Sequence, residues 1–166
     1  KKAKAGDAAS FGIIFDHFID EIFRFSLLKV GNKENAQDIA SETFLRTWSY
    51  LSRYKANNFR AYLYTIARNL CYDFNKKQTR TVELSDDFDL PDKSINIESS
   101  LIKEENSEYL LEAIKKLPVK YEEIVILRFI NGLSVKETAK IIGISGGAVR
   151  TAQHRAVQRL KELMTA

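Results

Sequence analysis

The sequence predicts an all-α chain: two small helical bundles joined by a flexible acidic linker, the second bundle containing a helix-turn-helix. Three observations carry that prediction. Apolar residues recur at spacings of three and four along both halves, and no stretch alternates apolar and polar residues as a half-buried strand does. Residues 79–106, TRTVELSDDFDLPDKSINIESSLIKEEN, lose the helical period and gather acids, Ser, Asn and Pro91, the composition of an extended or disordered tether. Charge follows the same division: residues 1–78 hold 13 Lys/Arg against 8 Asp/Glu, residues 79–108 hold 3 against 9, and residues 109–166 hold 10 against 5. Two basic blocks flank an acidic one, and basic blocks suit polyanion binding. The expected domains are 1–78, a linker over 79–106, and 107–166.

The first helix is expected over 8–29, where Phe11, Ile14, Phe15, Phe18, Ile22 and Phe23 recur at helical spacing and Gly31 supplies the stop. His17 lies beside that stripe and is expected to pack. A second helix over 36–52 places Ile39, Ala40, Phe44, Leu45, Trp48 and Leu51 on one side, with Asn35 as cap and Asp38 three residues later. After a polar loop, YKANN at 54–58, the third helix is FRAYLYTIARNLCYDFNKK, residues 59–77. Its apolar stripe is Leu63, Ile66, Ala67, Leu70 and Phe74. The opposite half carries Thr65, Arg68, Asn69, Tyr72, Asn75 and Lys76 with hardly any acid, so this outer face is suited to something negative and flat.

Beyond the linker, Leu110, Leu111, Ile114 and Leu117 make a short helix ended by Pro118. Residues 119–130 make another, with Ile124, Val125, Leu127 and Phe129, stopped by Asn131 and Gly132. SVKETAKIIGISGGAVRTAQHRAVQRL, 134–160, is the strongest local signal. Ser134 and Glu137 form a capping box, and Ala139, Ile141 and Ile142 supply the inner side of that helix. Gly143 permits a sharp turn, Ile144 plugs the space between the helices, and Ser145 caps the next one: the spacing of a helix-turn-helix. The second helix buries Val149, Ala152, Ala156, Leu160 and Leu163. Arg150, Thr151, His154, Arg155 and Gln158 face outwards. Gly146 and Gly147 leave backbone N–H groups open to a phosphate at the helix start, and an Arg there can read guanine.

Several functions are excluded or disfavoured. With 166 residues the chain makes one ordinary domain or two small ones, and 45% apolar residues suffice for cores. No run approaches ~18 consecutive apolar residues, so membrane insertion is not expected. The start KKAKAGDAAS is not expected to be a signal peptide, and one cysteine, Cys71, suits a reducing cytoplasm. HExxH, CxxC, GxSxG and P-loop patterns are missing, and two histidines with one cysteine make a metal site improbable. No catalytic residues, metal or cofactor are expected, nor a small-molecule substrate.

The run NAQDIASETFLRTW, then FRAYLYTIARNLCYDFNKKQTR, an acidic linker and a helix-turn-helix ending in LKELM resembles the extracytoplasmic-function (ECF) sigma factors, group 4 of the main bacterial, sigma-70-type family. The resemblance covers nearly the whole chain, and the order and spacing of the motifs are more specific than any one of them. It implies that the first bundle is region 2, which grips the clamp helices of the polymerase β′ subunit and opens the promoter −10 element. The second is region 4, which reads the −35 element and rests on the β flap. Asp38, Glu42, Phe44 and Trp48 match the polymerase-binding helix, although Phe44 and Trp48 equally fit the core stripe. The loop and third helix match the −10 reader: Asn57 and Asn58 for a base edge, Tyr54, Phe59 and Tyr62 for stacking, Arg60, Arg68 and Lys76 for phosphates, Asn69 and Tyr72 for polar and stacking contacts. For the −35 element the matching positions are Ser145, Gly147, Arg150, Thr151, His154 and Arg155.

The chain departs from the family pattern at Ser41, where Gln is common, at Tyr62, where Trp is usual, and at Ala152 and Gln153, where Arg and Leu are common. The linker resembles the segment that runs near the polymerase active site and RNA exit path. The implied function is a promoter-specificity subunit that binds core RNA polymerase and both double- and single-stranded promoter DNA, controlled by an anti-sigma factor and working in the cytoplasm. The residues alone leave open an autonomous helix-turn-helix regulator with an N-terminal helical sensory domain, and a helical adaptor or an unrecognised enzyme, against which the missing catalytic residues and the basic outer faces argue.

Overall fold

The structure, a computed structural model, describes residues 1–55, 57–84 and 105–166. The chain divides into two compact units, Lys1–Asn96 and Ile97–Ala166. Every regular element among the described residues is helical. Most of the expected linker, from 85 to 104, lies outside the described residues.

In the first unit, α1 (Ala8–Val30), α2 (Lys33–Tyr50) and α3 (Phe59–Leu84) pack on one another, with short 3-10 turns at Ala3–Ala5 and Leu51–Arg53. Gly31 ends α1 as expected: it adopts the left-handed conformation, φ 73°, and its N–H donates to the Leu27 carbonyl at 2.8 Å. The start of α2 differs from the expectation. Asn32, not Asn35, is the cap, its side chain accepting from the Asn35 N–H at 3.0 Å. The cap lies three residues earlier because the first turn after Gly31 is already helical.

The core of this unit is Ile22, Phe25, Ala36, Ala40, Phe44, Leu63, Tyr64, Ala67 and Cys71. Full burial of a large apolar side chain contributes about 1.5–3 kcal/mol. Phe25 and Tyr64 meet edge to face at 5.3 Å. Half-buried Glu21 on α1 accepts from the Tyr64 hydroxyl at 2.9 Å and from Arg60 at 2.7 and 3.0 Å, so the polar ends of α3's inner side are tied to α1. His17 is exposed rather than packed inside, its ring edge-on to Phe18 at 4.6 Å.

Two helices differ from the apolar pattern, α2 in where its inner face is centred and α3 in its length. On α2, Thr43 and Thr47 are fully buried, each hydroxyl donating at 2.7 Å to the carbonyl one turn back, of Ile39 and of Thr43. Because those hydroxyls are satisfied along the helix, the threonines occupy the middle of the buried face. Leu45, expected inside, is turned out to 62% exposure. On α3 the helix continues to Leu84 rather than ending at 77, since no helix breaker intervenes and Thr79 and Thr81 bond to the carbonyls of Asn75 and Lys77. Residues 79–84 therefore belong to α3 and not to a tether.

In the second unit α4 (Glu105–Lys115) precedes Pro118, and α5 (Val119–Val125) runs on through a wider π turn at Ile126–Ile130. Then come α6 (Val135–Ile142) and α7 (Gly146–Thr165), and α7 packs on α4, α5 and α6. Leu111, Ile114, Leu117, Ile124, Leu127, Leu133, Ile141, Val149 and Ala156 form the core. Phe129, expected among the apolar set of its helix, is 54% exposed. The π turn shifts the register of the side chains that follow Val125.

Candidate nucleic-acid interface

The helix-turn-helix is assembled by local bonds. Ser134 accepts from the Glu137 N–H at 3.1 Å while the Glu137 carboxylate accepts from the Ser134 N–H at 2.8 Å, the reciprocal capping box. Gly143 turns the chain at φ 79°. The Ser145 hydroxyl accepts from the Ala148 N–H at 3.1 Å and so caps α7. Of the expected reading set, Gly147, Arg150, Thr151, His154 and Arg155 are all exposed. At 100° per residue they fall within about 140° of one another, opposite buried Val149, Ala152 and Ala156. Ser145 is the exception in kind, since its hydroxyl is used by the cap. Thr151 donates back to the Gly147 carbonyl at 3.1 Å.

Gln153, one of the two departures on this helix, points inward. Its side-chain oxygen accepts from Arg128 Nε at 2.9 Å, and Arg128 also donates to the Leu133 carbonyl. Arg128 thereby ties α7 to the segment that leads into the helix-turn-helix. Sequence reading missed this brace, because an Arg in an apolar helix and a Gln 25 positions on give no periodic signal.

The outer face of α3 is less uniform. Asn69, Tyr72 and Lys76 are exposed, Tyr72 by 67%, and Thr65 and Arg68 are half-buried beside them. Arg60 is not part of that open face: its guanidinium is held by Glu21, which accounts for its half-buried state. Asn58 is a helix cap, its side-chain oxygen accepting from the Ala61 N–H at 2.9 Å, whereas Asn57 is exposed. Asn75 donates to the Lys29 carbonyl of α1 at 3.2 Å.

The three aromatic rings predicted to stack are gathered into one cluster. Tyr54 lies 4.6 Å from Tyr62 and 5.8 Å from Phe59, and Phe59 lies 6.3 Å from Tyr62 and 5.9 Å from Phe18. Burial raises the pKa of the Tyr54 and Tyr62 phenols above 10, so both are uncharged at neutral pH. The N-terminal turn reaches this cluster: Lys4 donates to the Tyr54 carbonyl and its ammonium stands 5.1 Å from the centre of the Tyr54 ring.

The candidate polymerase-binding residues separate into two kinds. Phe44 is 3% exposed and packs edge to face on Phe15 at 4.8 Å, so it is core. Trp48 is half-buried against Phe11 at 4.8 Å. Together with Ala8, Phe11, Phe15, Ser41 and Leu45 they line an open apolar groove of about 410 Å³ between α1 and α2. Asp38 is exposed, and Glu42 is paired with Arg46 of the same helix at 2.6 Å. Among the described residues, no cluster of His, Cys, Asp and Glu is arranged to hold a metal, and no helix is long and apolar enough to cross a membrane.

Residues 14–81 match the family described as Sigma-70 region 2, and residues 107–160 match Sigma-70, region 4. The ECF RNA polymerase sigma factor SigW of Bacillus subtilis is 30% identical over 98% of this chain and 92% of its own length. The chain belongs to the ECF RNA polymerase sigma factors. BldN of Streptomyces coelicolor, another ECF sigma factor, is 37% identical over 99% of the chain, and the chain spans 64% of its length. The fold is that of the sigma factor RpoE from Bartonella quintana, crystallised with the anti-sigma factor NepR: the TM-score is 0.81 at 24% identity, over 95% of this chain and 98% of that one.

In this sigma factor the region 2 match takes in the aromatic cluster, the outer face of α3 and the groove except Ala8 and Phe11, and the region 4 match takes in the capped helix-turn-helix. Lys4 lies N-terminal to the region 2 match. Leu45 and Lys4 are the surface features that sequence reading missed. The signal for Leu45 was present: at about 100° per residue it lies about 180° from the midpoint of Thr43 and Thr47, opposite the buried side of α2.

Proposed function

We propose that this sigma factor is a promoter-specificity subunit that binds core RNA polymerase and directs initiation by reading −35 DNA and melting −10 DNA. The observation that carries this is the presence, in one chain, of two helices with buried inner sides and cationic or amide-bearing outer sides, within the region 2 and region 4 matches. Residues 1–78, continued by the rest of α3, form the −10 module, and 107–166 form the −35 module. Gly147, Arg150, Thr151, His154 and Arg155 of α7 approach duplex bases and phosphates, with Ser145 fixing the helix start.

On the first module, Asn69, Tyr72 and Lys76 face the strand with Arg68, Asn57 and the rings of Tyr54, Phe59 and Tyr62. Arg60 and Asn58 act through position, by holding α3 and its loop. Stacking and charge neutralisation replace the base stacking lost when the strands part. The apolar groove with Asp38, Glu42 and Trp48 receives the β′ clamp helices, while the second module meets the β flap. Membership of the family over both regions disfavours the autonomous regulator. The protein itself catalyses nothing and works in the cytoplasm, and an anti-sigma factor covers the same faces; the structurally similar RpoE was crystallised with an anti-sigma factor, NepR.

The test is reconstitution with core polymerase of the source bacterium and run-off transcription from a promoter library. Promoter-specific transcripts that need this subunit are expected. Failure to bind core, with no transcript from any template, overturns the proposal.

A further inference from the structure

The N-terminal turn carries a cation over the Tyr54 ring of the aromatic cluster, from outside the region 2 match. Its placement is built, not incidental. Ala3 is 7% exposed, Gly6 closes the turn at φ 87° with its N–H on the Ala3 carbonyl at 3.1 Å, and the turn packs against the Leu51–Arg53 turn that leads into Tyr54. The Lys4 ammonium has three N–H donors, of which the Tyr54 carbonyl takes one. It is exposed, and among the described residues no carboxylate pairs with it. The nearby acid Asp7 accepts from Ser10. Lys1, Lys2, Arg53 and Lys55 add further positive charge on the same two short segments.

The geometry points to Lys4 as a phosphate contact for the single strand whose base is received by the Tyr54, Phe59 and Tyr62 cluster. A nucleotide carries its phosphate one sugar away from its base, so a base at these rings brings a phosphate within reach of the ammonium that stands over Tyr54. The contact to the Tyr54 ring and carbonyl holds the ammonium ready before DNA arrives, which lowers the ordering cost of binding. This assignment rests on the −10 reading of the first module and adds to it a residue from outside the matched region.

The test uses the holoenzyme and a short fluorescein-labelled single-stranded DNA bearing the −10 sequence mapped from its promoters, titrated over a salt series. Lys4→Ala is expected to lower the slope of log affinity against log salt by about 0.7, a loss of about fivefold at 0.1 M salt. Lys4→Arg is expected to restore the slope. Weaker binding of Lys4→Ala with an unchanged slope means a purely structural brace and overturns the assignment. So does tighter binding, which means that the turn masks the rings. Unfolding midpoints of both variants exclude a folding defect. If Lys76→Ala shifts the slope and Lys4→Ala does not, this assignment alone fails; if the unmodified holoenzyme does not hold the strand, the −10 reading fails with it.

Discussion

The outer faces of α3 and α7 were reached by the same periodicity argument, yet they are built differently. On α7 the side chains turned away from the core stand exposed, and what fixes them is local: a capping box before α6, a left-handed glycine, a serine cap. Around α3 several of the expected contact residues are engaged inside their own unit. Arg60 is held by Glu21, Asn58 by the Ala61 N–H, Asn75 by the Lys29 carbonyl, and Tyr54 by Lys4 and its neighbouring rings. The difference suits the two tasks proposed. A reader of intact duplex needs side chains projected from a rigid helix into a groove. A site that receives an unstacked base needs a loop and rings held in advance, which demands a tied-down surround.

The widest predicted separation between the faces comes from Arg150→Glu with Arg155→Glu. Affinity of the holoenzyme for duplex −35 DNA should fall by about tenfold or more per arginine, while binding to single-stranded −10 DNA is retained. Equal loss on both probes breaks the division of labour. Glu21→Ala works the other way. It removes the acceptor shared by Arg60 and Tyr64 and should lower the stability of the first unit by about 1.5–3 kcal/mol, read by chemical denaturation, with duplex −35 binding unchanged.

Ser134→Ala deletes one half of the capping box and should cost the second unit about 1 kcal/mol, again measured by denaturation, without moving the first unit's transition. The smallest effect is expected from Lys76→Ala: promoter affinity should become less salt-dependent, by about 0.9 in slope. A slope identical to that of the unmodified holoenzyme removes Lys76 from the DNA-facing set.

The two faces also differ in how far they could be read in advance. Gly31, Ser134 with Glu137, Gly143 and Ser145 behave as their local sequence implies, because caps and turns depend on bonds within four residues. Leu45 does not: its apolar character placed it inside, but the buried side of α2 is centred on Thr43 and Thr47. Arg60 does not either, since its partner lies 39 residues away on another helix and nothing in the period of α3 announces it. Phe44 fitted both core and contact surface by periodicity, and it is buried against the Phe15 ring while also lining the groove.

By itself the sequence determined that the chain is helical, where most helices start and stop, which positions on α7 face solvent, and where charge divides it. These are properties of neighbours one or two turns apart, set by backbone hydrogen bonding and by the 3.6-residue period. Only the tertiary structure decided which polar groups of the first unit are turned inward, which apolar ones line its groove, and that Lys4 meets Tyr54. Such pairings join residues distant in the chain, and the packing of three helices selects among partners that any amphipathic pattern leaves equally open.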